Sequence, residues 1–288
     1  MRKLNKCKLS IYYNTRRTVR HPGFGLFEIV TDCGVNTESY IKWWYEPTVV
    51  LYNTYMKEYI TSPQFLYIAL IAIFILSTIA QGKVQRTFNK YLQTTASSGI
   101  TAERMAEEIL LQNGVYTVGI EAVDGTLTDH YDPSTGVVGL STQVYGNNSV
   151  SALAVTAHEI GHVMQHQEAY AALNIRNAIL PVARISSTIA PLIVIFGAMF
   201  GFRPIVMIGA ILFGAVLLFQ LVTLPVELDA SRRGLLYLEQ GSYIDGEQKD
   251  QAREVLKAAA MTYVWATVAS LISFLRLLSI GGSSRRSN

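Results

Sequence analysis

Long runs of apolar residues, separated by polar segments, dominate the pattern of this chain. Four runs contain no charged residue, and each is close to the length that an α-helix needs to cross a bilayer. They occupy residues 64–80, 185–201, 205–226 and 258–275, and the short segment 202–204 predicts a tight turn between the second and the third. A single soluble core would have difficulty burying all four runs. The pattern therefore predicts a mainly α-helical membrane protein with about four transmembrane helices, rather than a soluble helical domain.

The polar region between the first two runs has a mixed pattern. Residues 101–112 favour a helix that ends before a glycine, and residues 115–123 alternate as a strand. A turn at 132–136 predicts a hairpin that leads into a second strand at 137–141. Together with the helix-favouring segment 149–167, these elements predict an α+β layer attached to the membrane helices.

These patterns divide the chain into segments, and composition agrees with the division. Half of the residues (50%) are hydrophobic and 16% are charged, with a mean hydropathy of +0.26. In chain order, the predicted segments are a basic N-terminal extension, disordered or interfacial (1–60), a first transmembrane helix (61–81), a soluble region (82–184), a transmembrane hairpin (185–226), a helix followed by a loop (227–257), a last transmembrane helix (258–280) and a tail (281–288).

An HExxH motif lies in the helix-favouring segment 149–167. His158 and His162 are four positions apart, so on a helix both imidazoles lie on one face and can reach the same metal ion. Glu159 lies beside them, where its carboxylate can reach a metal-bound water and act as a general base. Gly161 between the histidines lets another element approach closely. The alternative is a buried helix whose two histidines are merely hydrogen-bonded.

A catalytic zinc ion usually has three protein ligands, so a third residue must come from elsewhere in the chain. His166 lies ~12 Å along the helix from His158, too far to share one ion, and is expected at the helix end or behind a ligand. Glu227 follows the third apolar run, where a carboxylate is costly unless it is paired or metal-bound. Pro225 permits a break there, and a helix starting near it would carry Glu227. Asp229 is the competing ligand, and its other expected roles are support for a ligand or a surface charge.

Several segments, in this order, resemble the neutral zinc metallopeptidase family of bacterial membranes. They are residues 88–91 (FNKY), 127–133 (LTDHYDP), 157–162 (AHEIGH) and 220–227 (QLVTLPVE), within a resemblance that covers roughly residues 65–280. Together these segments are far more specific than HExxH alone. The resemblance implies a membrane-embedded metallopeptidase of the gluzincin kind, with a zincin-like catalytic layer, related in plan to HtpX and the CAAX-processing proteases.

The resemblance also implies a set of metal ligands. In the related proteases the third ligand is a Glu on a later helix, and the matching residue here is Glu227. One Zn²⁺ ion per chain would then be held by His158, His162 and Glu227. Glu159 would be the catalytic base of a zinc metalloendopeptidase that hydrolyses peptide bonds. The related proteases carry an Asp four residues after the ligating Glu, whereas this chain has Ser231.

Two segments that precede the HExxH helix are candidates for contact with a substrate. His130 or Tyr131 could donate a hydrogen bond to the oxyanion of a tetrahedral intermediate, the alternative being a pair that packs in a turn. Strand 137–141 could pair with the main chain of a peptide, the alternative being an ordinary edge hairpin.

Two other functions are compatible with the motif. A non-catalytic membrane scaffold would use a structural or vestigial metal site. Structural zinc usually has four ligands, often cysteines, and both Cys7 and Cys33 lie far from the histidines in sequence. An intact Glu159 also has no purpose in such a site. A metal-dependent hydrolase of lipids or small amides would share the chemistry and differ only in its substrate.

The distribution of Lys and Arg near the span ends predicts the orientation in the membrane. The side of the HExxH segment carries most of these basic residues, including Arg232 and Arg233, whereas the basic segment 1–20 points the other way. We expect a multi-pass protein of the cell membrane with its metal site in the cytoplasm and both termini outside. The expected partners are a peptide or membrane-protein substrate and the lipid bilayer, and no nucleic acid. The sequence leaves the substrate and the oligomeric state open.

Overall fold

The structure is a computed structural model that describes residues 63–282. The predicted N-terminal extension, the start of the predicted first transmembrane helix and residues 283–288 of the tail lie outside the described residues. Within the described part, the elements in chain order are α1 (Pro63–Leu92), α2 (Ala102–Gln112), β1 (Gly119–Val123), β2 (His130–Asp132), β3 (Val137–Ser141), α3 (Val150–Gln167), α4 (Ala171–Met199), α5 (Arg203–Gln240) and α6 (Gly246–Gly282).

Four of the helices, α1, α4, α5 and α6, are long and apolar enough to cross a membrane. Large apolar side chains such as Ile68, Phe74, Ile195 and Met199 are exposed on α1 and α4, which indicates contact with lipid rather than with water. The predicted turn joins α4 to α5, and Gly201 there adopts a positive φ of 70°. The predicted fold class, a mainly α-helical membrane protein with about four transmembrane helices and an α+β layer, is confirmed.

The long helices continue beyond the apolar runs into the polar layer. α1 extends to Leu92 and α5 to Gln240. In the polar part of α1, Phe88 is buried, and its carbonyl oxygen accepts a hydrogen bond of 2.8 Å from the hydroxyl of Ser151 in α3. The helices that are able to cross a membrane therefore also form walls of the polar layer.

α5 runs without interruption through Pro225, so the break that this proline permits does not occur. Proline removes one backbone hydrogen bond and typically costs about 3 kcal/mol in a helix interior. α5 packs against α4 at Gly209 and against α6 at Gly214, before the proline, and against α3 at Gly234, after it. α4 tolerates Pro181 and Pro191 in the same way. Glu227 consequently lies within a long helix that begins at Arg203, not at the start of a new one.

The three strands form one sheet in the order β1-β3-β2. β2 and β3 make the predicted antiparallel hairpin, with His130 opposite Gly139, and β1 pairs in parallel with β3. The strand predicted from residue 115 begins only at Gly119. β3 (Val137–Ser141) is the central strand, with β1 paired along its whole length and β2 along residues 137–139. It is therefore not the edge strand that the alternative of pairing with a peptide requires. β2 is the edge strand that contacts α3.

A buried core lies between α2, the sheet and α3. Met105 of α2, Leu140 of β3 and Leu153 of α3 are fully excluded from solvent. α3 begins after Ser149, whose hydroxyl accepts a hydrogen bond of 3.2 Å from the backbone N–H of Ala152. This core and this cap hold α3 in place along one side, while another side of the helix packs against α5.

Candidate metal centre

α3 and α5 cross at a point where both helices carry small residues. A Cβ atom on Gly161 would lie 2.5 Å from the carbonyl oxygen of Ala230, and one on Gly234 would lie 2.9 Å from the carbonyl oxygen of Ala157. The expectation that Gly161 lets another element approach closely is confirmed. Because no side chain separates the two backbones here, Glu227 of α5 lies next to the histidines of α3.

Two histidines of α3 and one glutamate of α5 converge beside this crossing. His158, His162 and Glu227 each offer one ligand atom, and these atoms all lie within 4.8 Å of one another. Oε2 of Glu227 is 3.4 Å from Nε2 of His158 and 3.6 Å from Nε2 of His162. The two imidazole rings meet edge to face, with their centroids 4.7 Å apart.

The environment of Glu227 fits a bound cation. Its residue is only 3% exposed, and Oε2 is a buried oxygen that accepts no hydrogen bond. A buried carboxylate oxygen without a donor is costly, and a metal ion at this point would offset that cost. Two imidazole nitrogens and one carboxylate oxygen suit zinc with a fourth position left open. Among residues 63–282, no other group of three or more His, Cys, Asp or Glu side chains is arranged in this way.

Each imidazole also contacts a polar group on the side away from Glu227. Nδ1 of His158 is 3.1 Å from Oγ of Ser231, and Nδ1 of His162 is 3.0 Å from Oε1 of Gln165. Ser231 thus contacts a histidine from the position where the related proteases carry Asp. The sequence analysis does not predict Gln165, although its place three residues after His162 puts both on one face of the helix.

Asp229 lies one step farther from the centre. Its Oδ2 accepts a hydrogen bond of 3.0 Å from Nε2 of Gln165 and one of 2.6 Å from Nε of Arg233. Arg233 also forms an ion pair of 2.8 Å with Glu168, which follows the last residue of α3. Asp229 does not belong to the group that could hold a metal ion, and it connects to that group through Gln165.

Glu159 is buried beside the histidines, with 7% of the residue exposed. Burial on its own would lower the pKa of His162, but the carboxylates of Glu227 and Glu159 outweigh burial, so this pKa lies above its ordinary value. The phenol of Tyr263 on α6 interacts with both carboxylates. The sequence analysis does not predict Tyr263, because it lies within the last apolar run and belongs to no local motif. Glu159 does not belong to the group of residues that could hold a metal ion.

His130, Tyr131 and His166 form a separate contact region. The hydroxyl of Tyr131 is 3.3 Å from Nδ1 of His166, in the last turn of α3. Nδ1 of the exposed His130 is 2.9 Å from the carbonyl oxygen of Thr128. Burial raises the pKa of Tyr131. The structure therefore brings Tyr131 against the HExxH helix, and it places neither His130 nor His166 in the ligand group.

Comparison with known proteins agrees with this geometry. Residues 66–281 match the sequence model of a family described as "Putative neutral zinc metallopeptidase". The chain is also similar to a protein of Bacillus subtilis (strain 168) named "Putative membrane protease YugP", with 45% identity over 218 residues. That similarity covers 76% of this chain and 97% of the relative. No solved structure matches the chain.

Proposed function

Since the chain belongs to the neutral zinc metallopeptidase family, we propose that it is a membrane-embedded zinc metalloendopeptidase. His158, His162 and Glu227 would hold one Zn²⁺ ion per chain. The observation that carries this proposal is the convergence of the three side chains on one point, where Glu227 has a buried oxygen with no hydrogen-bond donor.

The proposed chemistry is hydrolysis of a peptide bond by water. Zinc bound here would polarise the scissile carbonyl and lower the pKa of a water in its open position. Glu159 takes a proton from the attacking water and passes it to the nitrogen of the leaving amine. Its burial beside the histidines, and outside the ligand group, supports this role. Gln165 and Ser231 hold the two imidazoles from behind, so that each Nε2 faces Glu227.

The proposed location is the cytoplasmic side of the cell membrane, in a multi-pass arrangement. The polar ends of α1, α5 and α6 carry Lys83, Arg86, Arg232, Arg233 and Arg253 on the side of the metal centre. Lys and Arg accumulate on the cytoplasmic side of membrane proteins. Substrates would therefore be peptides or membrane proteins that present a cleavable segment at the cytoplasmic surface of the bilayer.

The test is zinc content and casein cleavage, measured on detergent-purified wild type, Glu159→Gln and Glu227→Ala. We expect wild type to hold about one zinc ion per chain and to cleave. Glu159→Gln should retain zinc and lose activity by about 10²- to 10⁴-fold, because it removes the general base. Glu227→Ala should lose most of its zinc, because it removes a ligand.

Glu121→Gln, on the exposed strand β1, is the matched control and should leave both quantities unchanged. If Glu159→Gln cleaves as fast as wild type, the proposed general base is wrong. If wild type binds zinc but does not cleave casein detectably, the alternative of a non-catalytic scaffold with a structural or vestigial metal site is favoured. If Glu227→Ala keeps its full zinc content, Asp229 becomes the third ligand to test.

A further inference from the structure

Gln165 is a fully buried polar residue whose amide connects the two helices that carry the candidate ligands. It is 0% exposed. Its Oε1 lies 3.0 Å from Nδ1 of His162, and its Nε2 donates to the carbonyl oxygen of Val226 (2.8 Å) and to Oδ2 of Asp229 (3.0 Å). We propose that Gln165 is a positioning residue that fixes the tautomer of His162 and ties this ligand to the backbone beside Glu227. The inference rests on the proposed zinc site.

The two acceptors on α5 determine which way the amide of Gln165 points. The carbonyl oxygen of Val226 has no proton to donate, and Asp229 already accepts a hydrogen bond from Arg233 as a carboxylate. The NH₂ group of Gln165 must therefore face α5, since the opposite orientation would place Oε1 against two acceptors. In consequence Oε1 faces His162.

This orientation settles the state of the imidazole. An amide oxygen only accepts, so Nδ1 of His162 must carry the proton. In the neutral ring, Nε2 then holds the lone pair, and Nε2 is the nitrogen that lies 3.6 Å from Oε2 of Glu227. Gln165 thus prepares His162 to bind a metal ion through the correct nitrogen.

His158 has a weaker constraint. Its Nδ1 contacts the hydroxyl of Ser231, which can either donate or accept a hydrogen bond and so does not select a tautomer. The tautomer of His162 is therefore fixed before a metal ion binds, whereas the tautomer of His158 is not.

The same amide also positions the third ligand. Val226 directly precedes Glu227, and Asp229 is held in turn by Arg233, which pairs with Glu168 next to the end of α3. These contacts form a continuous series that runs from α3 to α5 and returns to the end of α3. Loss of the amide should consequently loosen His162 and Glu227 together.

The test uses two substitutions in the full chain. Gln165→Met keeps the length of the side chain and removes all three hydrogen bonds. Gln165→Glu keeps an acceptor for Nδ1 of His162 but replaces the donor to Val226 and Asp229 by an oxygen. Zinc affinity is measured by competition with a chromophoric chelator, and the ligand geometry by the visible absorption spectrum of the Co²⁺-substituted protein.

We expect Gln165→Met to weaken zinc binding by about 10- to 100-fold and to change the Co²⁺ spectrum. Gln165→Glu should also weaken zinc binding, because it keeps the acceptor for His162 but turns a carboxylate oxygen toward the carbonyl oxygen of Val226 and the carboxylate of Asp229. If Gln165→Met fails to fold, Gln165→Glu decides by itself, with weaker zinc binding than wild type as the expected result.

Gln248→Met is the matched control. Gln248 also joins two segments through both ends of its amide, accepting from the backbone N–H of Ser97 (2.8 Å) and donating to the carbonyl oxygen of Thr95 (2.9 Å), away from the metal centre. Its loss should leave zinc affinity unchanged. Wild-type affinity and spectrum in both Gln165 variants, or an equal loss of affinity in Gln248→Met, would overturn the proposal. The readout is metal binding, which separates this proposal from the proposed function. Wild type that binds zinc and cleaves nothing contradicts the proposed peptidase function alone. Wild type that does not bind zinc contradicts both that function and the role of Gln165.

Discussion

Two regions of the molecule differ in which side chains they expose and which they bury. They are the outer faces of α1 and α4 and the crossing of α3 with α5. On α1, large apolar side chains point away from the protein, and Phe74 is 73% exposed. At the crossing, polar side chains such as Gln165 are completely buried, and each of its amide atoms has a hydrogen-bond partner. A protein surrounded by water shows the reverse distribution. The comparison indicates that lipid covers the outer faces, and that the site depends on hydrogen bonds and close backbone contact.

The largest expected effect tests the outer face. Phe74→Asp places a charge near the middle of the apolar part of α1, where Asp costs about 3 kcal/mol if the surrounding medium is a bilayer. We expect a clear loss of protein from the membrane fraction and a lower thermal midpoint in detergent. In contact with water, the same substitution would be nearly neutral.

Tyr116→Asp is the control for this prediction. Tyr116 is 76% exposed, as much as Phe74, but it lies in the polar layer between α2 and β1. Its replacement should leave both the membrane fraction and the thermal midpoint unchanged. Equal behaviour of the two variants would contradict the assignment of the outer face of α1 to lipid.

A smaller effect is expected from filling the helix crossing. Gly161→Ala places a methyl group 2.5 Å from the carbonyl oxygen of Ala230. The two backbones must then separate, at a cost of about 1–3 kcal/mol. Because the proposed ligands come from both helices, zinc affinity should fall together with the thermal midpoint, and both can be measured on one detergent preparation.

Gly82→Ala is the control for this prediction, and the same change of residue should raise stability there instead of lowering it. Gly82 lies in α1 and has nothing within 4 Å of the added Cβ atom. Alanine is preferred to glycine in a helix by about 1 kcal/mol, so this variant should be slightly more stable and should bind zinc as wild type does. A Gly161→Ala variant that also gains stability would show that α3 and α5 can move apart freely.

The same division explains what the sequence could predict. The apolar runs and the spacing of His158 and His162 are local patterns, and the structure contains the corresponding helices. Local reasoning left Glu227 and Asp229 as alternatives, and the family resemblance selected Glu227, because a third ligand depends on how distant helices cross. Gln165 and Tyr263 went unpredicted for the same reason. The partners of Tyr263, and those of Gln165 other than His162, lie on other helices, and no spacing within one segment reveals them.

Two differences between the expectations and the structure have the same physical origin. A break at Pro225 was permitted because proline is costly in an isolated helix, and contacts between helices offset that cost here. The role considered for strand 137–141 assumed that it lay at an edge, but β1 pairs in parallel with it although β2 lies between them in the chain. The order of strands in a sheet depends on such long-range pairing, and the alternation of apolar and polar residues in a single strand does not predict it.

The smallest expected effect concerns the weaker of the two contacts behind the ligands. Ser231→Ala removes the hydroxyl that lies 3.1 Å from Nδ1 of His158, and zinc affinity should fall by less than about tenfold, since one neutral hydrogen bond contributes about 1 kcal/mol. Ser231→Asp instead supplies the carboxylate that the related proteases carry, and its charge-assisted hydrogen bond should strengthen zinc binding. Chelator competition measures both variants. A loss in Ser231→Ala as large as that in Gln165→Met would show that the two histidines are held equally, and that the hydroxyl selects a tautomer after all.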